Sequence, residues 1–229
     1  MNLNQLIDID NTENNNQKLL KNTFSITYTL LLTTGLITFI EAIRTPNPKI
    51  RHIFNLETCI SLVAGYFYSI FIIEMNKKDI NWKNITQARY LDWSITTPMM
   101  LLTLCLVLSM NSNTIIYFNV ISLIIILNYL MLLFGYLGEI NKIGRYLSLI
   151  LGFIAFFFMY LLIFMNYVKP KYSKSNYILF GIYFILWSLY GVVYLFDEEL
   201  KNTITNILDL IAKCFVGLGL WIYYIKIIN

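Results

Sequence analysis

The chain has 229 residues, of which 58% are apolar, 16% aromatic and only 13% charged, and its mean hydropathy is +0.63. A soluble domain carries roughly 25% charged residues, so this composition excludes a disordered chain and a cytosolic enzyme. Cys59, Cys105 and Cys214 all lie inside apolar runs, which argues against a disulfide framework. The net charge of +4 comes without a continuous basic tract and gives no reason to expect nucleic acid as a partner.

In chain order, residues 1–23 come first, polar and rich in asparagine, with Asp8, Asp10 and Glu13. They lack the basic-then-apolar pattern of a cleaved signal peptide and are expected to form an extracellular segment, with Asn2–Ile9 able to make a short surface helix. Residues 24–229 then contain seven apolar runs long enough to cross a bilayer: Phe24–Ile43, Ile53–Ile73, Ile85–Leu108, Thr114–Tyr136, Ile143–Val168, Tyr177–Leu195 and Ile204–Ile228. Short polar segments separate them, none long enough to mark a domain boundary. The expected fold is an all-α membrane protein, a seven-transmembrane-helix bundle.

Lysines and arginines are shared almost evenly between the two sets of loops, so the cation rule alone does not orient the chain. The acids do separate: Asp8, Asp10, Glu13, Glu74, Asp79, Glu139, Asp197, Glu198 and Glu199 all fall on the amino-terminal side. The opposite loops are purely basic, with Arg44, Lys49, Arg51, Lys169, Lys171, Lys174 and Lys226. This pattern predicts the amino terminus outside and the carboxyl terminus inside.

Six ionisable residues remain within the spans: Glu41, Glu57, Arg89, Asp92, Asp209 and Lys213. Each costs at least ~2.5–3.5 kcal/mol at the bilayer centre and needs a partner, a cavity or a purpose. Glu41 is close enough to a span end to reach the headgroups. Lys213 lies about ten residues into its span, near the middle of a ~30 Å core, too deep to snorkel. Asp209 precedes it by one turn on the same face, and one reading is an ion pair within that helix. The third span offers Arg89, Asp92 and Thr96 at spacings of three and four, a second face with a cation, a carboxylate and a hydroxyl. Two anions and two cations in one bundle are an expensive way to hold helices together.

A buried lysine can do what an arginine cannot: its amine condenses with an aldehyde to form a Schiff base. Protonated, that imine requires a counterion, and Asp92 and Asp209 are available, with Arg89 balancing their charge. Trp93, and Trp187, Tyr190 and Tyr194 at helical spacing in span six, would suit a long, flat, apolar ligand, although aromatic stripes are more often packing or lipid-facing residues.

The segment Arg89-Tyr90-Leu91-Asp92-Trp93-Ser94-Ile95-Thr96-Thr97-Pro98 resembles the third helix of the microbial (type 1) rhodopsins. Leu208-Asp209-x-x-Ala212-Lys213 resembles their retinal-binding seventh helix, and Leu186-Trp187-Ser188-x-Tyr190 their sixth. Gly191 departs from the proline of the family's bacteriorhodopsin type. The resemblance runs through all seven spans. It implies all-trans retinal as a covalent protonated Schiff base on Lys213, Asp92 as proton acceptor and counterion, Asp209 as second counterion, and Arg89 as a switch on the outward side. It places Trp93, Trp187, Tyr190, Tyr68, Met131 and Gly135 in the retinal pocket, with Tyr194 replacing a tryptophan. Thr97 and Asn128 match a hydrogen-bonded pair between helices three and four. Pro98 should kink span three, with neighbours satisfying the freed carbonyl. Met100 occupies a colour-tuning position, where an apolar residue implies green absorption.

In that family a cytoplasmic acid refills the Schiff base, usually eleven residues after the acceptor. Here that residue is Thr103, which is not an acid. Glu57 in span two falls across from it; taken out of water, it can hold a proton and serve instead. The alternative is an inner-mouth Glu57 bonded to Thr103 or Asn55. Arg51-His52-x-x-Asn55-Leu56-Glu57-Thr58-x-Ile60-Ser61 resembles the rhodopsins of large DNA viruses of algae and protists. These divide into a pump-like, pentameric group and a light-gated cation-channel group. Channels commonly add glutamates along span two, whereas Ala64 stands two turns past Glu57. The expectation is an outward light-driven proton pump in the lipid bilayer of a host-cell membrane, assembled as a homo-oligomer such as a pentamer. The alternatives are a channel for monovalent cations or a slow-cycling photosensor. His52 is either a gate for proton entry or a plain loop histidine. On the exit side Glu199 matches one half of the family's release pair while Lys201 falls near the other half, which predicts a different and late release.

Overall fold

A computed structural model describes the backbone of residues 3–228 and the side-chain surroundings of residues 17–225. The helices are α1 (Leu3–Arg44), α2 (Pro48–Met75), α3 (Trp82–Ser112), α4 (Phe118–Glu139), α5 (Arg145–Ile163), α6 (Lys174–Val193), α7 (Glu198–Asp209) and α8 (Val216–Ile222). A π-helical turn at Phe164–Val168 extends α5, and a second, Leu210–Phe215, joins α7 to α8 into one seventh span. Seven helical segments are long and apolar enough to cross a membrane, as the composition predicts. Residues Leu3–Ile9 belong to α1 rather than to a short helix of their own. Asn2, and the side chains of Asp8, Asp10, Glu13 and Lys226 used in orienting the chain, lie outside the described residues.

Local chemistry sets the helix ends. Asn47 caps α2 by accepting from the Lys49 N–H, with Pro48 at the first helical position, where its missing N–H costs nothing. Asn81 does the same for α3 through the Asn84 N–H, and Asn113 closes that helix in the left-handed region at φ 53°. Asp197 caps α7, whose first turn carries Glu198 and Glu199, the sign that a helix N-terminus favours. α2 begins at Pro48, so His52 is an exposed helical residue and not a loop histidine. Glu41 pairs with Arg44 at 3.5 Å in the last turn of α1.

Consecutive helices pack side by side and α1 closes against α7. Large exposed apolar side chains such as Phe157, Phe158, Ile150 and Ile126 cover the outside of α4 and α5, as a bilayer-facing surface requires. α3 continues through Pro98 without interruption. The proline has no N–H to give the Ser94 carbonyl, and the Tyr129 hydroxyl of α4 donates to that carbonyl at 3.1 Å instead.

Candidate functional site

The charged residues inside the bundle converge. Lys213, in the middle of the π-helical turn, points its Nζ at Asp92 Oδ2 of α3, 2.7 Å away, and lies 3.7 Å from Asp209 Oδ1. Arg89 Nη1 lies 3.4 Å from Asp209 Oδ2. All four side chains are buried, and their charges sum to zero. A π turn places one extra residue in a helical turn and rotates the rest of the helix about its axis, a device that recurs at functional sites. Here it carries Lys213.

The two carboxylates differ in their bonding. Asp209 accepts from Tyr190 at 2.8 Å on Oδ1, and from Tyr68 at 2.9 Å and Arg89 on Oδ2. Asp92 receives the Lys213 ammonium on Oδ2, and its Oδ1 has no partner among the described residues. Thr96 donates back to the Asp92 carbonyl at 2.9 Å, so it braces the α3 backbone and leaves the carboxylate alone.

Tyr68 corrects an expectation. It does not line the apolar cavity; it is fully buried between Phe24 and Phe71 and spends its hydroxyl on Asp209 and Asn206. Its place is beside the Asp209 carboxylate. Arg89 is held more elaborately than its spacing implied. Its Nη2 donates to Asn202 and Asn206 of α7, each at 2.9 Å, and its guanidinium lies 4.8 Å from the Phe71 ring centre. Asn202, Asn206, Asp209 and Lys213 recur at four, three and four residues, one polar stripe down the seventh span, so the two asparagines were findable from spacing.

An apolar cavity extends from Lys213 and Asp209, lined by Trp93, Thr97, Met100, Met131, Gly135, Trp187, Tyr190 and Tyr194 together with Gly152, Phe153 and Phe156. Every residue expected in the pocket except Tyr68 is there. Gly191 has a physical reason: a Cβ there would sit 2.5 Å from the Phe153 ring, so the missing side chain makes room for that ring. Asn128 Nδ2 donates to Thr97 Oγ1 at 2.8 Å, the α3–α4 pair that the resemblance implied. The cavity's mainly apolar and aromatic lining, with the Lys213 amine and the Asp209 carboxylate in the wall and Arg89, Glu139 and Lys201 at one end, suits an apolar aldehyde that could condense with the amine.

Glu57 is buried but hydrogen-bonds neither Thr103 nor Asn55. Its Oε2 lies 2.8 Å from where a Cβ on Gly217 would stand, with Thr34 Cγ2 at 3.3 Å from the same point. Small residues on the facing helix thus turn the carboxyl toward α1 and α8. Gly217 follows Lys213 by one turn, so Asp92 and Glu57 flank the lysine on opposite sides along the bundle axis. Toward the other end, Lys201 Nζ bonds both Glu139 oxygens at 3.0 Å and Glu198 Oε1 at 2.9 Å. Lys201, expected near the other half of a pair with Glu199, is thus bonded to Glu139 and Glu198 instead.

A bacteriorhodopsin-like family model matches residues 19–227. Bacteriorhodopsin of Halobacterium salinarum is 25% identical over 177 residues, 70% of this chain and 63% of its own length. The green-light absorbing proteorhodopsin of Gamma-proteobacterium EBAC31A08 is 24% identical over 156 residues, 62% of each chain. The chain thus spans a little under two thirds of the curated relatives it matches. Among solved structures, viral rhodopsin OLPVRII superposes with a TM-score of 0.86 at 44% identity, covering 92% of this chain and 100% of that one. The proton pumping rhodopsin AR2 of Acetabularia acetabulum shares the fold, with a TM-score of 0.77 at 21% identity over 92% and 96% of the two chains. The apolar seven-helix bundle, the third- and seventh-span motifs and these matches place the chain in the bacteriorhodopsin-like family, the microbial rhodopsins.

Proposed function

We propose that the protein is an outward light-driven proton pump that binds all-trans retinal on Lys213, with Asp92 as proton acceptor and Glu57 as donor. The observation that carries this reading is the placement of two buried carboxyls on opposite sides of Lys213, one 2.7 Å from Nζ and the other against Gly217 a helical turn beyond. A pump must take a proton from one side and return one from the other. Lys213 Nζ would hold retinal covalently through its amine, and the bound group would supply light absorption and a change of shape.

The chain's own groups account for the rest. Asp92 is the acceptor because Oδ2 already faces Nζ and Oδ1 has no competing donor. Asp209 is already engaged, because Tyr68, Tyr190 and Arg89 occupy both of its oxygens. Arg89 marks the exit, its guanidinium drawn toward the amino-terminal end by Asn202 and Asn206. Glu57, taken out of water, holds a proton and returns it toward Nζ. Trp93, Trp187 and Tyr190 exclude water and fix the plane of the ligand. With the amino terminus and residues 1–23 outside, Asp92 faces out and Glu57 in. Assembly is proposed as a homo-oligomer of the pentameric kind.

Voltage-clamp recording of cells supplied with all-trans retinal tests the reading. A pump gives outward photocurrent that persists without a proton gradient. A current that reverses at its ions' equilibrium potential makes the protein a cation channel, and a coloured protein with almost no current makes it a sensor. A Lys213→Ala variant that keeps its colour overturns retinal attachment itself.

A further inference from the structure

Around Glu57 and Lys213 the bundle holds buried hydroxyls with no oxygen or nitrogen partner among the described residues. The hydroxyls of Thr34 on α1, Ser61 on α2 and Thr103 on α3 have no hydrogen-bond partner among the described residues; Thr34 has only the Cys214 thiol beside it, a weak partner. A buried hydroxyl left unbonded is costly, and clusters of them in a polar, roomy site are where proteins hold internal water. In a chain this apolar, such residues stand out against the leucine and isoleucine around them.

Contacts between helices fix their depths. Thr27 Oγ1 donates to the Asn206 carbonyl at 3.2 Å, which sets the register of α1 against the seventh span. Both run in the same direction; Thr34 is seven residues beyond Thr27, and Lys213 seven beyond Asn206. Thr34 therefore stands level with Lys213. Its Cγ2 and Glu57 Oε2 share the notch left by Gly217. Ser61 follows Glu57 by one turn of α2, toward the depth of Tyr68 and Asp209, and its Cβ packs 3.3 Å from the position of a Cβ on Gly35. Glu57, Ser61 and Thr34 thus form a polar strip along the α1–α2 side, closed by the small residues Gly35 and Gly217. Thr103 lies on a different helix and does not hydrogen-bond Glu57.

We infer that Ser61 and Thr34 are positioning residues for the return of the proton: their hydroxyls hold the hydrogen-bonded water that connects the Glu57 carboxyl to Lys213 Nζ along the α1–α2 side. This rests on the reading of Glu57 as donor. The proton leaves Glu57 Oε2 as its O–H bond breaks, passes by exchange along the hydroxyls and water, and forms the new N–H bond at Nζ. Glu57 ends as a carboxylate, reprotonated later from the carboxyl-terminal side.

Flash photolysis of the retinal-loaded protein tests it, following the rate at which the nitrogen regains its proton in H2O and D2O. Ser61→Ala and Thr34→Val should slow that step several-fold, and more in combination, with a larger solvent isotope effect and an unchanged absorption maximum. Ser61→Thr and Thr34→Ser should restore it, which a purely structural role would not require. In a Glu57→Gln background the hydroxyl substitutions should add little further slowing. Thr103→Val should leave the step near the parent rate. Parent kinetics in the Ser61→Ala/Thr34→Val double variant overturns the relay whatever Glu57→Gln does, and slowing confined to Thr103→Val moves the path to α3. Parent kinetics in Glu57→Gln overturns the donor reading, and the relay between Glu57 and Lys213 with it.

Discussion

Lys213 Nζ meets Asp92 Oδ2 at 2.7 Å across two different spans, closer than it approaches Asp209, its neighbour one turn away on the same span, at 3.7 Å. The two carboxylates are not interchangeable. Asp92→Asn removes the carboxylate nearest the nitrogen, which is also the proposed acceptor. The absorption band should move to the red, and light-driven proton current should fall by about 10²-fold or more, the scale of losing a positioned proton acceptor. Asp209→Asn removes the group that anchors Tyr68, Tyr190 and Arg89, so its first effect should be on folding and pigment yield. Absorption spectra and photocurrents of the two variants check this; equal loss of current with equal spectral shift would show that the geometry does not rank them.

The Thr97–Asn128 bond ties α3 to α4 at the cavity wall. Asn128 is fully buried, its Nδ2 bonds Thr97 at 2.8 Å and its Oδ1 has no partner among the described residues. Thr97→Val strands the amide and should destabilise the protein by about 1–3 kcal/mol. Thr97→Val with Asn128→Leu removes both polar groups and should recover part of the loss, so a thermal-bleaching double-mutant cycle should give a clear coupling energy.

The spans were legible because a bilayer demands long apolar runs, and the site was legible because every charge inside such a run needs an explanation. Helix rotation was not. Tyr68 lies at a depth where either the cavity or the counterion was open to it, and the packing of Phe24 and Phe71 decides for Asp209. Glu57 faces α8 because Gly217 leaves a notch there, a property of a distant residue. The π turn at Leu210–Phe215 has no compositional signature, since its residues would serve equally well in an α-helix. The Glu139–Lys201–Glu198 cluster joins residues about sixty positions apart, and only the fold brings them together.

That cluster predicts when a proton leaves. Lys201 bonds three of the oxygens of these two carboxylates, an arrangement that leaves little room for a proton shared between them, so on the proposed mechanism release should wait for Asp92 to lose its own. Lys201→Gln leaves two facing carboxylates, an arrangement in which like charges favour sharing a proton. A pH-sensitive dye should then report proton release early in the photocycle of the variant and at its end in the parent. Early release in the parent would mean that the lysine does not control it.

Gly191 sets the width of the cavity. A Cβ would come within 2.5–2.7 Å of two Phe153 ring carbons, and a ring held against Phe156 and Phe157 cannot retreat without moving them. Gly191→Ala gains about 0.8–1 kcal/mol of helix propensity and loses about 1–3 kcal/mol to overpacking, so the net effect should be destabilising. Because Phe153 also lines the cavity, the displaced ring should slow pigment formation when all-trans retinal is added to the apoprotein. Gly191→Ala with Phe153→Leu should restore both the rate and the thermal stability, since the smaller side chain leaves space for the methyl while the propensity gain remains. If Gly191→Ala alone forms pigment at the parent rate with raised stability, the ring is free to move and the glycine is not there to accommodate it.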